Sequence, residues 1–198
     1  MPWADALYGC DARWWDIHKD CDGFAGAKWS SHDKEGQSND KTAAADKHGL
    51  HIVKGAPGGG FSTDPSLIHY GDNSGFQALN LAILLGATYI VLVGFDMRHV
   101  KGKSHFFGDH PQGLFQRPEY ESFAKKFDKA AAPDGVTIVN ATPGSALKCY
   151  PMMSLDEAIE SYGSVHRHRS IAHNTTDRNS KGEGLSALRM QSNIPNCS

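Results

Sequence analysis

An α/β fold with a parallel sheet flanked by helices is what this sequence predicts, and three observations predict it. Residues 73–86, opening Asn73-Ser74-Gly75-Phe76 and closing Leu84-Leu85-Gly86, read as a small-residue turn, a buried helix and a glycine stop. The run Tyr89-Ile90-Val91-Leu92-Val93 follows at once and ends near an acid, Asp96. A strand apolar almost throughout is one covered by helices on both faces. A second helical pattern and a second apolar run, Val136 to Asn140, then repeat the alternation. Strand, helix, strand, helix and strand joined by short connections argue for right-handed parallel crossovers.

The elements justify themselves in order. Pro2 to Trp29 is rich in aromatics, with Trp3, Tyr8, Trp14, Trp15, Phe24 and Trp29. Ala6-Leu7-Tyr8 fits a short strand leading to Cys10-Asp11, and Trp14 to His18 the first turns of a helix. Of two adjacent tryptophans on a short helix one is ordinarily core, which outweighs stacking on a base or sugar. Ser30 to His48 is polar and reads as an exposed loop. Leu50 to Lys54 is a strand, and Gly55 to Asp72, holding Pro57-Gly58-Gly59-Gly60, a long loop of the kind that is often functional or mobile.

In the central unit Asn73 or Ser74 can cap the first free amides of the helix, and Gly86 supplies the left-handed residue that ends it. Pro118 opens the next helix, Tyr120, Phe123, Ala124 and Phe127 fall at helical spacing, and Pro133-Asp134-Gly135 closes it. Ser154-Leu155-Asp156-Glu157 is a capping box for a last short helix to about Tyr162. The strands near 50–54, 88–94 and 136–142 are expected as parallel neighbours in one sheet, with the helix from about 75 to 86 packed on it.

Bulk properties bound the answer. The 198 residues, 39% of them hydrophobic, support one domain, 1–162, followed by a tail, 163–198. Beyond Gly163 there is no aromatic residue, and five Lys or Arg stand against two acids, so the tail reads as disordered and polar. Its run Val165 to Arg169 reads as solvated charge. A net charge of −2 offers no global electrostatic case for nucleic acid or an anionic membrane. Cys10, Cys21, Cys149 and Cys197 are scattered with no CxxC pair and no signal peptide before them, which points away from a disulfide framework and toward a reducing cytoplasm. The longest apolar stretch falls well short of the roughly 20 residues of a membrane helix.

Function is sought at the carboxyl end of the strand, where open α/β sheets bind ligands. Asp96 stands there, and the free amides at the helix start after Asn73 favour anions. Asp96, His99, His105, Asp109 and His110 supply five oxygen or imidazole donors within a short stretch. They fit a polar active-site loop in which the histidines make hydrogen bonds better than a divalent-metal site, since the spacing matches no strong metal motif. They imply no particular cofactor. Asp96 either does chemistry or hydrogen-bonds nearby amides; Asn140 either contacts ligand or satisfies its own turn.

Several of these stretches carry a resemblance. Trp3 to Tyr8 and on to Trp15, Asn73-Ser74-Gly75, Gly94-Phe95-Asp96-Met97, His105-Phe106-Phe107-Gly108-Asp109-His110-Pro111 and Asn140 to Leu147 resemble a group of uncharacterised phage and prophage proteins over about residues 2–160. That group is similar in turn to the Rossmann-type, sialyltransferase-like glycosyltransferases, and to a related family that includes pterin pyrophosphokinase-like proteins; this onward likeness covers mainly 73–147.

The resemblance implies a Rossmann-like domain acting in the cytoplasm of a bacterial host. It implies that Asn73, Ser74 and Gly75 contact the nucleotide of a nucleotide sugar and that His110 or His105 is the base. This sequence departs from the pattern in having Asp109 directly after the glycine and His110 one place later. The relatives also begin with a strand and a Gly-Asn-Gly-Pro-Ser-like loop; this chain starts downstream of that element, and Gly55 to Gly60 falls elsewhere in the order. Three functions follow: sugar transfer from a nucleotide donor, nucleotide binding without turnover, and a structural or interaction role in a phage. Fold analogy does not choose among them.

Overall fold

The structure is a computed structural model that describes residues 4–32, 47–105 and 118–163. The chain begins with β1 (Ala6–Tyr8), α1 (Ala12–Ile17) and a 3-10 turn at Lys19–Cys21, followed by β2 (Ala27–His32), β3 (His51–Ala56) and β4 (Leu67–His69). It continues through α2 (Ser74–Leu84), β5 (Tyr89–Leu92), α3 (Tyr120–Asp128) and β6 (Thr137–Asn140), and residues 155–163 form a further helix, α4. Every ladder is parallel, with helices flanking the strands, so the fold is Rossmann-like α/β.

The hydrogen-bonded order corrects one expectation. The strands at 51–56, 89–92 and 137–140 each pair in parallel but do not share a sheet: β1-β2-β3-β4 form one ladder and β5-β6 another. Ile90 pairs with Ile138 in the second, whereas Gly55 of β3 pairs with Ile68. Among the described residues β1 and β5 each stand at the end of a ladder. Apolar runs identify strands, but which backbone edges meet is set by tertiary packing. Here α2 holds the two parts together by two faces. Phe76 and Leu79 enter a core with Leu92, Phe127, Ile138 and Leu147, while Leu81 enters a second with Val53 and Ile68. A helix that is apolar nearly all round is one buried on more than one side.

Two strands lay hidden in the sequence. β2 occupies part of what reads as an exposed loop, and its Ser30 and Ser31 are buried. Ser31 Oγ donates to Gln77 Oε1 of α2 at 3.3 Å, and the Tyr8 hydroxyl donates to the same oxygen at 2.6 Å. β4 lies inside the long loop 55–72 and is three residues long. Its outer edge is completed by a side chain: Asn80 Oδ1 accepts from the amides of His69 and Ser62, both at 2.9 Å, and Nδ2 donates to Ser62 O at 3.0 Å. A buried amide so satisfied replaces ladder partners that no strand among the described residues provides.

Local signals hold elsewhere. Asn73 caps α2, its Oδ1 accepting from Phe76 N at 2.8 Å, and Gly86 follows the helix at φ +92. Gly71, at φ +51, precedes the cap where a Cβ would lie 2.1 Å from the Phe76 ring, so no other residue fits that turn. Trp15 is wholly buried and donates from Nε1 to Gly9 O, and Trp14 packs edge-on against it. The α4 box forms as read, with Ser154 N donating to Glu157 Oε2 at 2.7 Å and Glu157 N to Ser154 Oγ at 3.2 Å. α3 stops at Asp128, short of Pro133. Residues 33–46 of the polar segment and the tail beyond 163 lie outside the described residues. Among the described residues no helix is long and apolar enough to cross a membrane.

Candidate functional site

β5 delivers the chain to its carboxyl end at Leu92, and the next residues are fastened to the turn after β6. Phe95 N donates to Thr142 Oγ1 at 3.0 Å, Ser145 Oγ to Phe95 O at 2.5 Å, Ala146 N to Asp96 O at 2.9 Å, and Arg98 Nε to Gly144 O at 2.7 Å. The turn itself is organised by Asn140. Its side chain is fully buried, accepts from Thr142 N, and donates to Ser145 Oγ and Leu147 O. The post-strand loop is thus fastened to a turn 46 to 50 residues further along the chain, and that turn is itself organised by the local bonds of Asn140.

Between this loop and the start of α2 lies a cavity of about 570 Å³. Asn73 and Gly75 form one wall, and Phe95, Asp96 and Met97 another. Arg98, Lys101, Lys103 and His105 line a third side, and Pro118, just before α3, closes it with Tyr120 and Phe123 of α3. Among the described residues of its lining, three cations stand against one carboxylate, an excess suited to an anion. The Asp96 carboxylate accepts no hydrogen bond from the described residues. Burial, then the nearby charge of Asp96, push the Tyr120 hydroxyl above its ordinary range, so it stays a neutral donor, bonded to Ser104 O.

The expected residues separate into groups. Asn73, Gly75, Asp96 and His105 meet at this cavity. Ser74 does not line it; its hydroxyl lies 3.0 Å from Cys10 Sγ. The Asn140 side chain is spent on its own turn, the second of its two readings, and it lines neither this cavity nor the one beside it. His110 lies outside the described residues, as does Asp109. Among the described residues no group of three or more His, Cys, Asp or Glu side chains is placed to hold a metal ion.

Arg98, Lys101, Lys103, Tyr120 and Phe123 were not anticipated. A signal existed for the cations, since three of them follow the strand's carboxyl end within six residues, 98–103. None existed for Tyr120, whose helical spacing marks it only as core. Comparison with family models, with curated proteins and with solved structures finds no match to this chain.

Proposed function

We propose that this cavity binds a nucleotide or nucleotide sugar and that the protein, of phage or prophage type, transfers the sugar from the nucleotide donor. The observation that carries the reading is the convergence of Arg98, Lys101 and Lys103 with Asp96 and His105 on one cavity beside the first turn of α2. The phosphate of the donor sits against the cations and the amide of Gly75, a first-turn amide with no acceptor within the helix. The Phe95, Tyr120 and Phe123 rings offer surfaces for a base. The resemblance of Asn73-Ser74-Gly75 and of the His105 stretch to sialyltransferase-like enzymes supports the same reading.

The transfer balances without a further reactant. An acceptor hydroxyl oxygen bonds to the anomeric carbon, the bond from that carbon to the phosphate oxygen breaks, and the oxygen leaves with the electron pair on the nucleotide. The hydroxyl proton passes to the imidazole of His105, acting as general base. Arg98, Lys101 and Lys103 stabilise the charge that develops on the leaving phosphate.

A thermal-shift panel of nucleotides and nucleotide sugars, followed by turnover assays on the hits, tests this. Binding with sugar release or transfer is the expected result. Binding without turnover leaves a nucleotide-binding accessory protein, and no binding at all leaves a structural or interaction role.

A further inference from the structure

Lys101 and Lys103, two of the cations that line the cavity, stand on a structure of their own. Val100 N donates to Lys103 O and Lys103 N to Val100 O, both at 3.0 Å, and Lys101 and Gly102 between them sit at φ +51 and +75. Positive φ at both central residues is the mark of a type I′ turn, so residues 100–103 are a two-residue hairpin. Lys101 stands at its tip and Lys103 on its returning leg. A hairpin this small is marginal by itself. Where it presents its lysines is therefore set by what anchors it.

The entry to the hairpin is tied to the turn after β6 by Arg98, whose Nε donates to Gly144 O at 2.7 Å. Its exit is tied to α3 by Tyr120, whose hydroxyl donates to Ser104 O. The Tyr120 ring also meets the His99 ring at 83°, with centroids 5.1 Å apart, and His99 Nδ1 lies 3.4 Å from Ser104 Oγ. One tyrosine thus grips the chain on both sides of the hairpin. The carbonyl it holds belongs to the peptide unit that supplies the amide of His105, so the same bond orients the start of that residue. We infer that Tyr120 is the positioning residue of this cavity: by holding Ser104 and His99 from α3, it sets where the hairpin presents Lys101 and Lys103. The placement of the hairpin stands on these contacts alone; its consequence for binding rests on the phosphate reading of the cavity.

The test pairs Tyr120→Phe with Gly102→Val in the full chain. The first removes the hydroxyl and keeps the ring. The second strains the turn, since a β-branched residue resists positive φ. It acts through the backbone alone, because a Cβ on Gly102 meets nothing within 4 Å and Gly102 does not line the cavity. In the ligand-free protein Tyr120→Phe should shift the amide NMR signals of Gly102 and Lys103, while those of β5 and β6 stay in place and the melting temperature falls by no more than a few degrees. Calorimetry with CMP and with inorganic pyrophosphate should show each single variant about fivefold weaker than wild type, the scale of one lost hydrogen bond. The double variant should lie within about twofold of the weaker single one, because both changes release the same hairpin. Hairpin signals that do not move in Tyr120→Phe overturn the inference whether or not an anion binds. Losses that multiply in the double variant overturn it too, since the hydroxyl would then act on the ligand directly. A wild type that binds neither probe, with hairpin signals that do move, removes the phosphate reading of the cavity and keeps Tyr120 as the anchor of the hairpin.

Discussion

A Cβ on Gly75 would lie 3.0 Å from Cε1 of the Phe95 ring and 3.3 Å from Cζ. The first turn of α2 and the loop after β5 are therefore in direct contact, and Gly75 is a packing residue as well as a cavity wall. Gly75→Val does not simply screen a ligand; it moves Phe95 and with it Asp96. The expected cost is about 1–3 kcal/mol of stability, as for overpacking generally, with Gly75→Ala between the two. Thermal melts paired with nucleotide calorimetry check this. A valine variant that melts like wild type would show that the Phe95 ring relaxes freely.

Asn80 carries more of the fold than any surface amide could. Asn80→Leu keeps the volume but strands the amides of Ser62 and His69 and the carbonyl of Ser62, at about 1–3 kcal/mol for each buried group left unpaired. Urea denaturation should show a loss of several kcal/mol, and hydrogen exchange should show it first at β4. A loss below about 1 kcal/mol would mean that water takes over these bonds.

His105→Asn should abolish sugar transfer or nucleotide hydrolysis while leaving nucleotide affinity within about twofold, because the imidazole acts on the proton and not on the phosphate. His110→Asn is the matched control. Turnover that survives the first change and disappears with the second assigns the base to His110, and activity that disappears with a chelator instead assigns the chemistry to a metal.

Lys101→Ala combined with Lys103→Ala should weaken binding of a nucleotide by a factor on the order of ten at low salt, and the difference should shrink as ionic strength rises. The reading is an isothermal titration at two salt concentrations. Equal affinity in wild type and double variant would place the phosphate elsewhere.

The capping box sets an acid limit on α4. Hydrogen bonds from the Ser154 amide, then from its hydroxyl, hold the Glu157 carboxyl below the ordinary glutamate range. A depressed folded value means that the contribution to stability is full above the unfolded glutamate pKa and is lost as pH falls through the folded one. The carboxyl signal of Glu157, followed by NMR from neutral to acid pH, should titrate below that of a free glutamate. Ser154→Ala removes the hydroxyl and keeps the amide, so it should return the carboxyl only part of the way to the ordinary range.

What the sequence by itself determined is local. Ala6–Tyr8 as a strand, the Asn73 cap and Gly86 stop of α2, the apolar strand before Asp96 and the Ser154–Glu157 box are all written in residues a few places apart, because capping, turn chemistry and periodicity act over one or two turns. The position of the cavity was legible too, since a parallel strand leaves its ligands at its carboxyl end. Tertiary structure alone decided the rest. β2 is paired on both sides, by β1 and β3, with Ser31 of β2 and Tyr8 of β1 both reaching Gln77, and Asn80 completes the edge of β4; side-chain partners 46, 69 and 11 residues apart leave no local trace. The division into two ladders, the turning of Ser74 away from the cavity, the withdrawal of Asn140 into its turn and the arrival of Tyr120 beside Asp96 have the same cause. Each depends on which buried polar group finds a partner, and that is settled only when distant segments pack.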